Sequence, residues 1–299
     1  MIFFGTICRN IEPEFNMLHI FVRLVHEMLP DAHIFIYENN STDNTKQLLG
    51  LLEQIDTKIH IQSEDISIES QLESSSARTW DNKPCRMESI AIARNKLLDM
   101  ITKENYSDTD TIVFFDSDMA ALPTMEQLMK YCLEFPKDKD VIFANGLNRN
   151  RKTYYDMYAI RYMNQPLGPE IVGEKFWKQM PSLTIQEPTP VYSAFGGLAI
   201  YRGAAIKGCR YSGIPTKELD MVNRMILNTI AYTQPKPQTH HEGSLLGVYL
   251  YGLDGLYYYN NSGYNYPIIC EHSAFHATMW MNGFRRFTID PALVYYSTH

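Results

Sequence analysis

Asp116 and Asp118 stand on either side of Ser117, directly after the apolar run Thr111–Phe115. Two carboxylates one residue apart at a strand's carboxyl end can address a single hard cation. Mg2+ or Mn2+ with oxygen ligands is its natural occupant, and the ion bridges in turn to substrate phosphates. A turn acid followed by a helix N-cap is the plainer alternative for such a pair. Its placement after a strand, in a chain of alternating strands and helices, favours the cation. A second polar cluster, Glu38 through Thr45, also follows an apolar run. Ser41, Thr42 and Asp43 are explained by capping a helix. Glu38 and Asn39 are not, and Glu38 could hold a base or a ribose. Arg94, with Arg78 and Arg86 upstream, offers guanidinium groups suited to a pyrophosphate, although helical arginines are often simply solvated.

These groups need a frame. Apolar runs at 2–8, 33–37, 58–62, 111–115 and 141–144 predict strands. Helical spacing predicts helices over 14–29, from Ser41–Asp43 to about 55, over 86–102 and over 124–135. Strands alternating with helices of this length predict, for residues 1–150, a doubly wound α/β layer with a parallel sheet covered on both faces. The second half is rich in Tyr, Gly, Pro and Asn, with long loops at 164–192 and 232–268, a strand at 195–201 and a helix from about His272 to Asn282. No low-complexity linker separates the halves, so one continuous domain is expected.

Composition narrows the field. In 299 residues, 27 Lys+Arg against 34 Asp+Glu leave a net charge of −7, which disfavours an electrostatic grip on nucleic acid or anionic membrane. No stretch approaches the roughly 20 apolar residues of a membrane span, and His19, Arg23 and His26 break the apolar segment that could resemble a signal peptide. Five cysteines, Cys8, Cys85, Cys132, Cys209 and Cys270, show no disulfide framework and no zinc spacing, which favours a reduced, intracellular setting. His240-His241-Glu242 tempts as a metal site but reads as an exposed loop between Pro-rich and Gly-rich stretches.

The strand at the N-terminus, the Tyr37–Thr45 segment, Ala93-Arg94-Asn95 and the strand followed by Asp116-Ser117-Asp118 together resemble a GT-A glycosyltransferase. With Tyr154-Tyr155-Asp156, Phe195-Gly196-Gly197 and Cys270-Glu271-His272 beyond them, they are similar to the fungal capsule-associated α-mannosyltransferases and their bacterial and viral relatives. The resemblance implies a mostly parallel, Rossmann-like α/β sheet with a loop-rich acceptor half, in a single domain over 1–299. Residues 1–150 would bind the nucleotide-sugar, and 151–299 the acceptor. It implies a metal-dependent hexosyltransferase moving a sugar, with mannose from GDP-mannose in first place, to a hydroxyl of a glycan or glycoprotein.

By the same resemblance Thr6, Arg9, Glu38 and Asn39 contact the nucleotide, with Arg94 and Asp116 at the pyrophosphate. Asp116, Asp118 and, as third ligand, His299 hold Mn2+ or Mg2+. Glu271 is the general base, or the group that stabilises the sugar cation if configuration is retained, and His272 or His276 orients it. Without the resemblance, Glu271 reads as an acid in the first turn of a helix. Gly196 and Gly197 permit close backbone approach to a sugar. Trp177, Tyr192, Tyr257, Tyr258, Tyr259, Tyr264 and Tyr266 are candidates for stacking on sugar rings. The family's membrane anchor and stem have no counterpart here, so a cytoplasmic location is expected, a host cytoplasm if the protein is viral. Two other readings stay open: a phosphatase or phosphotransferase with an Asp-x-Asp nucleophile, and a sugar-binding protein without turnover.

Overall fold

The structure is a computed structural model and describes residues 1–148, 153–163, 168, 183–233, 248–250, 257–259 and 263–298. Strand β1 (Ile2–Cys8) lies between β2 (His33–Asn39) and β4 (Thr111–Phe115), parallel to both, and β3 (Ile59–Glu64) extends the parallel block beyond β2. These spans follow the predicted ones closely, because short β-branched and aromatic runs buried on both faces suit a parallel strand. Beyond β4 the pattern changes. Antiparallel β9 (Leu198–Arg202) is inserted between β4 and β6 (Val141–Leu147), and β6 then pairs in parallel with β12 (Phe287–Ser297). Antiparallel β8 (Thr189–Ser193) and then β7 (Arg161–Tyr162) finish the edge. The sheet is therefore mixed, most strands running one way, with β5 (Met119–Ala121) attached to the end of β12, while β10 (Val248–Leu250) and β11 (Tyr257–Tyr259) form a separate antiparallel pair.

Helices cover both faces, as expected. Alternation along each strand sends neighbours to opposite sides. Phe4, Ile36, Val113 and Phe115 meet Leu18, Phe21, Val22 and Val25 of α1 (Phe15–Met28) and Leu49 and Leu52 of α2 (Thr45–Glu53). Leu128 and Met129 of α5 (Met125–Leu133) join the same layer, whereas α3 (Ile68–Ser74) buries no residue. On the other face Phe3, Phe35 and Phe114 meet Leu97 and Ile101 of α4 (Arg86–Thr102). Phe143 and Tyr201 there meet Phe275 and Met279 of α8 (Glu271–Met281). Each fully buried Phe of this kind contributes roughly 1.5–3 kcal/mol. Two further helices, α6 (Gly203–Ile206) and α7 (Lys217–Thr233), complete the described set.

Two expectations are corrected. The predicted strand over 195–201 begins only at Leu198, since Gly196 and Gly197 have φ of 66° and 77° and turn the chain first. Helix α2 starts at Thr45 with Asn44 at its N-cap position rather than Ser41, Thr42 or Asp43, because Ser41 and Asp43 are occupied elsewhere: they accept the backbone N–H groups of Asn10 and Glu12. Asp43 also accepts from Thr45 N–H, so part of its expected capping role survives. All five cysteines are buried and unpaired. Among the described residues no helix is long and apolar enough to cross a membrane.

Candidate active site

The parallel strands β1, β2 and β4 all deliver their carboxyl ends to one edge, and the polar segments follow there. Asp116 leaves β4 with its backbone N–H donating to Gly197 O at 2.8 Å, while Tyr295 donates to its carbonyl at 3.1 Å. Its side chain is about a quarter exposed. Arg94 Nη2 donates to Oδ1 at 3.2 Å and the Tyr155 hydroxyl to Oδ2 at 2.9 Å. Burial pushes this carboxyl up to about 7, with Arg94 pulling down and the charges of Asp118 and Asp156 pushing up. Ser117, between the two acids, turns inward and donates to Ile7 O, which leaves Asp118 half-exposed on the same side as Asp116.

Arg94 is the pivot. It projects from the middle of α4, almost wholly buried, over the rings of Phe195 (4.8 Å) and Tyr211 (5.7 Å). Its Nε donates to Glu271 Oε1 at 3.1 Å, so one guanidinium joins the end of β4 to the first residue of α8. Burial opposes its charge, but Glu271 and Asp116 outweigh burial and raise its pKa. The sequence expectation of a guanidinium turned to a pyrophosphate is therefore revised: two of its donors are committed to carboxylates. Lysine would offer a single point charge in place of this planar fork.

Glu271 and His272 are brought here as expected, but both are buried, at 4% and 3% exposure. As placed, Glu271 presents almost no surface to a ligand. His272 does not orient Glu271. Its Nε2 lies 3.5 Å from Oε1 without a hydrogen bond, neither ring nitrogen has a partner, and the ring stacks on Phe195 at 4.1 Å. Burial, reinforced by Arg94 and His276, pulls its pKa well down, so the ring is a neutral aromatic wall. The group that hydrogen-bonds Glu271 is Arg94. His276 is likewise a core group, hydrogen-bonded to Ser193 Oγ and the Tyr201 hydroxyl, with its pKa pulled down to about 3 by burial and then Arg94.

The Phe195-Gly196-Gly197 turn also differs from its expected use. A Cβ on Gly196 would stand 2.2 Å from Ala144 O, and one on Gly197 would stand 2.3 Å from the Tyr295 ring. The close approach these glycines permit is to the protein's own backbone and to Tyr295, which together brace Asp116. Asp156 accepts from Gly196 N–H at 3.2 Å and is pushed up to about 6 by burial, partly offset by that bond, with Glu271 raising it further. Tyr155 lies in the Tyr154-Tyr155-Asp156 segment that the resemblance marks, whereas no sequence signal separates Tyr295 from the other tyrosines among the chain's 20. Their contacts with Asp116 exist only across the sheet.

At the nucleotide edge, Thr6 has no exposed surface and donates to Ile7 O; Glu38 has none either. Glu38 accepts from Ser41 N–H at 2.7 Å and from Ser63 Oγ, holding the turn after β2 against β3. As placed, neither side chain meets a ligand. Arg9 is exposed, with Nε donating to Asn40 O at 3.2 Å, and Asn39 is half-buried with its amide donating to Asn40 Oδ1. Both remain open to a ligand at this edge.

The donor set suits Mg2+ or Mn2+. It consists of the carboxylate oxygens of Asp116 and Asp118 at the end of β4. Among the described residues no three His, Cys, Asp or Glu side chains converge as a complete metal cluster. Such ions are commonly held by one or two carboxylates, with phosphates and water filling the rest. The backbone of β12 returns to this point, since Ser297 pairs with Met119 beside Asp118. His299 itself lies outside the described residues, as do His240, His241, Glu242 and Trp177 and the side chains of Tyr257, Tyr258 and Tyr259. Tyr192 is fully buried and serves the core rather than a sugar, whereas Tyr264 and Tyr266 are half-buried.

A family profile described as cryptococcal mannosyltransferase 1 matches residues 2–229, which holds β1, the Glu38 segment, Arg94 and Asp116-Ser117-Asp118. The chain belongs to this family. It is a family of glycosyltransferases, and the resemblance seen in the sequence stands. A search of curated proteins returns no significant match. Among solved structures, TarS residues 1–349 of S. aureus is similar at 12% identity and a TM-score of 0.45, covering 99% of this chain and 60% of that one. The mannosyltransferase PcManGT of Pyrobaculum calidifontis, solved with GDP-Man and Mn2+, matches at 10% identity and 0.42, covering 99% and 56%. Glucosyl-3-phosphoglycerate synthase of Mycobacterium tuberculosis, solved with phosphoglyceric acid, matches at 16% identity and 0.38, covering 75% and 66%. The chain thus spans about 60% of the length of the first of these.

Proposed function

We propose that this protein transfers a hexosyl group from a nucleoside-diphosphate sugar to a glycan hydroxyl, with GDP-mannose as leading donor and Asp116 and Asp118 holding Mn2+ or Mg2+. The observation that carries the reading is the buried guanidinium of Arg94 joining Asp116, at the end of β4, to Glu271, at the start of α8. A bound divalent ion would supply positive charge to a departing diphosphate. The chain's own residues do the rest. Tyr155 and Arg94 fix the two oxygens of Asp116, and the Gly197 carbonyl fixes its backbone. Arg9 and Asn39 offer donors for the nucleotide at the same edge. Arg94 sets the direction of Glu271, which serves as general base or as stabiliser of the sugar cation.

Thermal-shift measurement of the protein with GDP, UDP and ADP, each with and without Mn2+, tests the reading. Ligand that binds only the native state raises its stability by RT ln(1 + [L]/Kd). Stabilisation by a nucleoside diphosphate is expected with Mn2+, and it should disappear in Asp118→Asn. No stabilisation by any of them would refute the donor site.

A further inference from the structure

We infer that Trp80 forms a sugar-stacking platform for the acceptor glycan. The inference rests on the transferase reading above and adds a binding subsite to it. Trp80 is 66% exposed and is the only exposed large aromatic side chain among the described residues. A tight turn displays it. Thr79 N–H donates to Lys83 O at 3.0 Å, Asn82 N–H to Thr79 O at 2.9 Å, and Lys83 N–H to Thr79 Oγ1 at 2.9 Å. Thr79 Oγ1 donates in turn to Asp81 at 2.6 Å, and Asn82 takes a left-handed φ of 59°. The indole is therefore presented on an ordered support.

The support is tied to the active site through the backbone. Trp80 N–H donates to Gly263 O at 3.3 Å, Thr79 bridges to Tyr264, and Arg78 exchanges bonds with Asn265. Ala77, Cys85 and Ile268 form a small core beneath, with Tyr264 and Tyr266 packed on it. The segment gripped in this way runs on directly into Glu271. Gly263 precedes Glu271 by eight residues, which fully extended span at most roughly 26–29 Å. At its other end the turn leads into α4, which carries Arg94. The platform thus sits on the two segments that lead to Glu271 and to Arg94.

The chemistry around the indole suits a sugar. An aromatic face covers the C–H face of a pyranose, and Asp81, Asn82 and Lys83, all exposed, offer donors and acceptors for its hydroxyls. Asp81 and Lys83 form an ion pair beside it at 2.5 Å. This turn therefore presents a flat apolar surface edged with hydrogen-bonding groups.

The test uses the full chain with 5-fluorotryptophan at its three tryptophans. The 19F resonance missing in Trp80→Phe identifies Trp80. Titration with mannotriose, maltotriose and galactotriose should shift that resonance saturably for at least one of them, while the resonance of buried Trp280 stays in place. In transfer assays Trp80→Ala should raise the acceptor KM about tenfold with kcat nearly unchanged, and Trp80→Tyr should restore most of the loss. No shift with any of the three sugars, or an unchanged KM in Trp80→Ala, overturns the inference. A shift at Trp80 without nucleotide stabilisation would instead remove the transferase reading and leave the sugar platform standing.

Discussion

Replacing Arg94 by Met removes a guanidinium while keeping most of its apolar stem. The side chain is 7% exposed and holds Glu271, 5% exposed, and Asp116, 25% exposed. At an effective dielectric of about 20, each contact is worth roughly 4 kcal/mol gross. Relief of the guanidinium's own desolvation cancels part of this, so a net loss of about 3–5 kcal/mol is expected, the usual cost of stranding buried charge. The loss should depend on pH. Asp116 already stands at about 7 with Arg94 pulling it down, so without Arg94 it rises further. A carboxyl raised above its unfolded value keeps full stability at low pH and loses it as pH rises through the folded value. Urea unfolding followed by circular dichroism at about pH 5 and about pH 8 should therefore show a larger deficit at the higher pH. A deficit below about 1 kcal/mol, or one equal at both values, would refute the bridge as an electrostatic device.

Three further outcomes follow from the same contacts. Glu271→Gln should abolish transfer while leaving nucleotide affinity within about twofold, a difference of under ~0.5 kcal/mol by calorimetry; equal loss of both would move Glu271 to the donor site. Gly197→Ala combines a φ of 77° with a 2.3 Å contact to Tyr295, whereas Gly208→Ala has a φ of 72° and open space around it. The first should lose about 2–4 kcal/mol in urea unfolding and the second only about 1–2; equal losses would show that the Tyr295 contact costs nothing. His276 binds a proton at about 3 when folded and near 6.5 when unfolded, so between those values the unfolded chain holds more protons and stability falls as pH falls. Replacing it with Gln should flatten the acid limb of a melting-temperature profile below about pH 6, and an unchanged limb would assign acid sensitivity elsewhere.

The parallel block was legible because its signals are local. Ile2–Cys8 and Thr111–Phe115 are apolar runs that can only be interior strands, and α1 and α4 carry their periodicity within their own spans. Asp116 and Asp118 could be placed at the end of β4 for the same reason, since a strand's carboxyl end is a place that sequence can mark. The second half was less legible. Antiparallel β9 enters between β4 and β6 through a pairing that no local pattern encodes, and β7, β8 and β12 join by equally distant partners. Gly196 and Gly197 were noticed, but their reason lay in Ala144 and Tyr295, remote in sequence.

Composition and periodicity by themselves determined an α/β chain with an acidic strand end and a short set of chemically able residues, while the family came from the resemblance of its motifs. Only the tertiary structure decided which of them meet. It withdrew Thr6 and Glu38 into the frame, made His272 a neutral wall, and gave Arg94 to two carboxylates whose positions lie 22 and 177 residues away in the chain. The physical reason is that periodicity reports which face of an element is buried. The partner of a buried charge is set by how the sheet and α8 close around it.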